Sequence, residues 1–146
     1  MYQSLLVAVD GSEHGKKALE LASYLAGQDD ASLHILHVPE MLSHDATLVW
    51  GIGAVSIEAG RKELEEAGRK VIERAAEQAR VLGVKRVQTH VAQGEPARTI
   101  IRMAEALGVE VIVLGSRGLG NLAGLVMGSI SHKVTHSAKC GVITVR

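Results

Sequence analysis

The sequence predicts an α/β fold: one domain over residues 1-146, built on a single open five-stranded parallel sheet in the order 3-2-1-4-5, with helices on both faces. Three observations carry this reading. Short apolar runs alternate with helical patterns from one end of the chain to the other. The runs are rich in Val and Ile, as strands covered on both faces are. No repeat, second composition or low-complexity tail interrupts the pattern, and 146 residues suit one domain with its own core.

The elements follow in order. "SLLVAVD" (4–10) reads as a buried strand ending at Asp10, and "HGKKALELASYLAG" (14–27) as a helix with Ala18, Leu21, Ala22 and Leu25 on one side and Gly27 as its stop. "ASLHILHV" (31–38) is the second strand, closed by Pro39. From Pro39 to about Gly53 no period is visible, which marks a long loop of the kind that often serves as a lid. From about Val55 to Leu82 an apolar stripe of Leu64, Ala67, Val71, Ala75 and Ala79 defines a long amphipathic helix. "VKRVQTHVAQG" (84–94) is the third strand, and "EPARTIIRMAEALG" (95–108) a helix with Pro96 in its first turn. "VEVIVLG" (109–115), "SISHKVTHSA" (129–138) and "CGVITVR" (140–146) give the fourth strand, a short helix and the fifth strand.

Composition removes several classes of function. Sixteen Lys and Arg balance sixteen Asp and Glu, so nothing favours DNA or an anionic membrane as partner. One Trp, two Tyr and no Phe argue against an aromatic platform for single-stranded nucleic acid. No apolar run approaches the ~20 residues that span a bilayer, and the first residues carry no basic leader. The expected location is cytoplasmic, with no membrane insertion. Cys140 is alone, so it forms no disulfide within the chain and reads as a small core residue.

The stretch "GSRGLGNLAGLVMGS", Gly115 to Ser129, stands out, with five glycines in fifteen residues after an apolar strand. In open parallel sheets a ligand sits beyond the carboxyl ends of the strands, where strand order reverses. Order 3-2-1-4-5 puts that point between strands 1 and 4, and so brings Asp10 and Gly115 together. Glycines leave backbone N–H groups unshielded, successive N–H groups form an anion-binding nest, and the helix starting near Ser129 adds free donors and partial positive charge. Ser129 and Ser131 add hydroxyls, and Arg117 adds charge. These parts suit a polyphosphate. The competing reading is that the glycines serve only a tight turn and close helix packing.

These residues resemble the universal stress protein family. The pattern G-x2-G-x9-G-[ST] of its ATP-binding members is met by Gly115, Gly118, Gly128 and Ser129, and "LLVAVDGSEHGKKALELA", "GEPARTIIRMAEALGVEVIVLGSRG" and "HSAKCGVITVR" are similar as well. Only the loop from Pro39 to about Ile57 stands apart. The resemblance implies a Rossmann-like sheet of the adenine nucleotide alpha-hydrolase type, homodimers, and binding of ATP or AMP. It implies that Ala8, Val9, Asp10 and Val38 face adenine and ribose. It places Gly115, Ser116, Arg117, Gly118, Leu119, Gly120 and Asn121 near ribose and phosphates, and Gly128, Ser129, Ile130 and Ser131 on the phosphates from the helix start. Mg2+ or Mn2+ would accompany a triphosphate, held mainly by the phosphates, since no protein ligand set is visible.

Other tempting residues have plainer readings. Asp10 and Ser12 can cap the first helix. "GSEHGKKA" (11–18) is not a P-loop, because its spacer is one residue short and Lys17 stands where Ser or Thr is needed. His34 and His37, three apart on a strand, face opposite sides. His132 and His136, one helical turn apart, lack a third metal ligand nearby. "RKELEEAGRK" (61–70) is a solvated helix face. Three functions remain: a nucleotide-dependent regulator or adaptor of a stress response with an unidentified protein partner, a slow ATPase with no base in sight, and a dimeric adaptor whose glycine loop is structural. The last strand, "GVITVR", lies at a sheet edge with no proline and a single terminal charge, so it is expected to pair with its copy in a homodimer.

Overall fold

The computed structural model describes residues 1–39, 53–117 and 128–146, with backbone only over 53–61. Five strands, β1 (Ser4–Ala8), β2 (Ser32–His37), β3 (Arg86–Val91), β4 (Val111–Gly115) and β5 (Gly141–Val145), alternate with four helices, α1 (Glu13–Asp29), α2 (Gly53–Val81), α3 (Pro96–Leu107) and α4 (Ser129–Ser137). The strands form one parallel sheet in the order β3-β2-β1-β4-β5, as the sequence predicts.

Each central strand feeds two cores, because successive side chains point to opposite faces. Leu5 and Val7 of β1, Leu33 and Ile35 of β2, and Val111 and Val113 of β4 join Ala18, Leu19, Ala22, Ile72, Ala75 and Ala79 of α1 and α2. Leu6, Leu36, Ile112 and Leu114 join Ala97, Ile100, Ala104 and Val134 of α3 and α4 on the other face. A buried Leu, Ile or Val contributes about 1.5–3 kcal/mol, so this double layer is the main source of stability.

Several sequence boundaries move. β1 ends at Ala8, not Asp10; Val9 still donates to Leu36 O at 2.9 Å, and Asp10 begins the turn into α1. Gly27 does not stop α1. The helix runs on to Asp29, and Asp30 takes the left-handed cap at φ 52°, with its N–H bonded to Ala26 O. A glycine inside a helix costs only about 0.5–1 kcal/mol, less than the packing of α1 supplies. The stripe of α2 holds in part: Ala75 and Ala79 are buried and Leu64 and Val71 half-buried, but Ala67 is exposed and Gly68, Ile72 and Ala76 are buried beside it.

The two sheet edges differ. β3 presents Arg86, Gln88, Thr89 and His90, mostly exposed, and this polarity protects an edge from pairing. β5 carries Val142, Ile143, Thr144 and Val145, all half-buried. Among the described residues no helix is long and apolar enough to cross a membrane.

Candidate functional site at the switch point

The crossovers leave β1 toward one face and β4 toward the other, so the carboxyl ends of these strands part and a cleft opens there. Its walls are Ala8, Val9 and Asp10 after β1, Leu36 and Val38 at the end of β2, Leu114, Gly115 and Arg117 at the end of β4, and Gly128, Ile130 and Ser131 at the start of α4. Pro96 and Ile100 of α3 close the side. The sequence therefore brings Ala8, Val9, Asp10, Val38, Gly115, Arg117, Gly128, Ile130 and Ser131 together as expected. Ser116 is buried behind the wall, and Ser129 is exposed at the first turn of α4. Gly118, Leu119, Gly120 and Asn121 lie outside the described residues.

Four wall residues escape the sequence reading: Leu36, Leu114, Pro96 and Ile100. Leu36 could have been found from Val38, since residues two apart on an extended chain share a face. Pro96 and Ile100 share a helix face at i and i+4. Together with Ala8, Val38, Leu114 and Ile130 they make one side of the cleft apolar.

Helix caps fix the turns that flank the cleft. Asp10 Oδ1 accepts from Ser12 N–H at 2.9 Å, and Ser12 Oγ, the N-cap of α1, accepts from Gly15 N–H at 3.1 Å. Ser12 is thus the cap, and Asp10 braces the turn before it while also lining the cleft. Glu95 caps α3, accepting from the Ala97 and Arg98 N–H groups at 3.2 and 3.0 Å. The Arg98 N–H, with help from Ala97 N–H and the nearby Lys133 and Arg98 charges, holds the Glu95 carboxyl below its usual range against a smaller opposing effect of burial. The Lys133 ammonium lies 3.7 Å from Glu95 Oε1, joining α4 to α3 beside the cleft.

At α4 the arrangement differs. Its N-cap is Gly128, which offers no side-chain acceptor. The first helical bond runs from His132 N–H to Gly128 O, so the N–H groups of Ser129, Ile130 and Ser131 precede any intrahelical partner. These donors and the helix dipole make an electropositive end beside the apolar wall.

Three of the expected site residues also hold the structure together. Gly115 is required by α1: a Cβ there would stand 2.7 Å from His14 Cβ and 2.8 Å from the His14 carbonyl carbon. Close helix packing accounts for this glycine, which also lines the cleft. The Gly128 N–H is not free for a ligand, because it donates to Ser116 O. The Ser131 hydroxyl donates to Ser116 O at 2.9 Å, with Gly128 O at 3.0 Å as second acceptor, so it fastens the helix start to the end of β4. Ser116 N–H in turn donates to Val145 O at 2.7 Å, and Ser116 Oγ lies 3.3 Å from His14 Nδ1.

Outside the cleft, His34 and His37 face opposite sides, as expected. His34 Nδ1 lies 3.0 Å from His90 Nε2, and burial holds both rings below the usual histidine range. His132 and His136 stack at 6.2 Å. Among the described residues no three metal-ligating side chains gather. Cys140 borders a separate cavity at the amino ends of β4 and β5, and burial pushes its thiol up, which suits a core residue rather than a nucleophile.

Fold and site together define a doubly wound parallel α/β protein with a largely apolar cleft at its switch point, bordered by the start of α4. The chain belongs to the universal stress protein family, whose model matches residues 1–146. It is 40% identical over 149 residues to Universal stress protein YxiE of Bacillus subtilis (strain 168), with all of both chains covered. Among solved structures it is similar to hypothetical protein MJ0577, at a TM-score of 0.82 and 26% identity over 99% of this chain and 96% of that one. A universal stress protein in complex with cAMP (TM-score 0.71, 23% identity, covering 99% and 97%) and one from Archaeoglobus fulgidus in complex with dAMP (0.73, 21%, 99% and 98%) share the fold.

The contact of Gly115 with α1 yields a test. Gly115→Ala should destabilise the protein by about 1–3 kcal/mol, because overpacking forces α1 off the sheet end. Urea denaturation measures this, and an unchanged midpoint would contradict the packing role.

Proposed function

We propose that the protein binds an adenine nucleotide, AMP or ATP, in this cleft and acts as a nucleotide-dependent regulator or adaptor in a stress response. One observation carries the reading: an apolar wall meets the start of α4, which has no side-chain cap among the described residues, in one cleft at the switch point. A base needs an apolar slot, and phosphates need N–H donors at a helix start. Ala8, Leu36, Val38, Ile100 and Leu114 fit the base. Asp10 stands where it can take a hydrogen bond from a hydroxyl or amine of the nucleoside. The Ser129, Ile130 and Ser131 N–H groups, the Ser129 hydroxyl and Arg117 fit the phosphates. The complexes of related folds with cAMP and dAMP support adenine as the base.

The match of Gly115, Gly118, Gly128 and Ser129 to the glycine pattern supports membership of the ATP-binding subgroup. A divalent cation accompanying ATP would be held mainly by the phosphates. Slow hydrolysis of ATP at the same site is the alternative reading. Signalling would run to a protein partner, within the cytoplasm, from one domain spanning residues 1-146. The exposed edge of β5 favours a homodimer by antiparallel pairing; a monomer by light scattering at high micromolar concentration would contradict that part.

Calorimetry with nucleotide-stripped protein tests the site. The parent should bind AMP or ATP. Val38→Phe, which fills the slot, should lower affinity about tenfold or more. Ser129→Ala should weaken binding by about 1 kcal/mol for a neutral hydrogen bond and up to about 3 for a charged one. A stripped parent that binds neither nucleotide would overturn the reading.

A further inference from the structure

The ring of His37 lies on the face of the sheet away from the cleft, yet it holds one wall of the cleft in place. β1 and β2 pair in register up to Ala8 opposite Leu36, and Val9 N–H then donates to Leu36 O at 2.9 Å. The next rung of a parallel ladder would use Val9 O. That carbonyl takes its hydrogen bond from the His37 imidazole, whose Nδ1 lies 2.8 Å away in a buried contact. A carbonyl only accepts, so Nδ1 carries the proton. Both backbone polar groups of Val9 are thus tied to β2, one through the main chain and one through a side chain. Ala8, Val9 and Asp10 line the cleft on the far side of this contact, and Val38, next to His37, lines it too.

The helix above makes room for the ring. A Cβ at Gly68 of α2 would stand 2.9 Å from His37 Cδ2 and 3.1 Å from Nε2. Gly68 is buried in a helix interior, where glycine is disfavoured, and clearance for the imidazole accounts for it.

We infer that His37 is a positioning residue for the cleft, and that the Gly68–His37–Val9 contact passes the seating of α2 through the sheet to the wall facing the ligand. His37 touches no ligand on this account; it acts through Val9. The inference rests on the reading of the cleft as an adenine-nucleotide site. It also gives a route by which occupancy of the cleft and the position of α2 bias one another, since coupling between two sites is reciprocal.

Replacement of the ring separates positioning from packing. Asparagine puts an amide N–H where Nδ1 stands, glutamine puts one nearer Nε2, and alanine supplies neither. The full chain, stripped of nucleotide, is titrated with AMP and ATP by calorimetry. Its backbone amide exchange is followed separately without ligand. His37→Ala and His37→Gln should lower affinity about fivefold or more, and His37→Asn should stay within about twofold of the parent. Val9 N–H exchange should quicken about tenfold in His37→Ala and His37→Gln and hold in His37→Asn. Gly68→Ala, which keeps the imidazole but displaces it, should behave as His37→Ala does. Equal losses in all three His37 variants, or affinity unchanged in His37→Ala and His37→Gln, would overturn the positioning role. A parent that binds neither nucleotide would fail the reading of the site instead. The exchange comparison then decides the positioning role alone, and equal Val9 exchange across the parent and all three His37 variants would overturn it.

Discussion

Leu5, Leu6 and Val7 sit fully buried in the middle strand, alternating between a core under α1 and α2 and a core under α3 and α4. A strand apolar on both faces must be covered on both, and a parallel sheet does this only with crossover helices on each side. The strands flanking β1 therefore come from different parts of the chain, β2 from one side and β4 from the other. Their carboxyl ends part beyond Ala8 because the chain leaves them toward opposite faces. The cleft is a consequence of that double burial, and its apolar wall is the continuation of one core to the surface.

The polar side of the cleft depends on how tightly the ends are fastened. Ser116, Gly128 and Ser131 form a knot of hydrogen bonds between the end of β4 and the start of α4. Ser116 N–H ties the same point to β5. Gly115 lets α1 press against it from the other face. With those groups committed, the donors remaining at the start of α4 are its first-turn N–H groups and the exposed Ser129. Affinity for an anion would then come from a helix end fixed in place before any ligand arrives, which lowers the ordering cost of binding.

Much of this was legible in the residues. Strand order and the place of the cleft follow from apolar runs alternating with helical patterns, and from one general rule about switch points. Local stops were harder. Gly27 reads as a helix end, yet Asp30 supplies the cap, because α1 packs along its length and tertiary contact outweighs a single glycine. In α2 the expected stripe holds at Ala75 and Ala79 but fails at Ala67, since the residue facing the sheet there is Gly68, which makes room for a ring on another element. Gly115 invites a ligand reading for the same reason: from sequence a glycine shows what is permitted, while the neighbour that requires it lies a hundred residues away at His14. His37 carried no sequence signal beyond its apolar surroundings, because its partner Val9 O is a backbone atom that no pattern of side chains reports.

The central claim is that one cleft at the switch point, apolar on one side and rich in N–H donors on the other, takes an adenine nucleotide. Backbone amide shifts during titration of the stripped protein with AMP test it most directly. The account predicts shifts at Ala8 to Asp10, Val38, Gly115 to Arg117 and Gly128 to Ser131, with the outer face of α2 and the cavity beside Cys140 unmoved. No shifts at saturating AMP, or shifts confined to α2 or to the Cys140 end of the sheet, would contradict it.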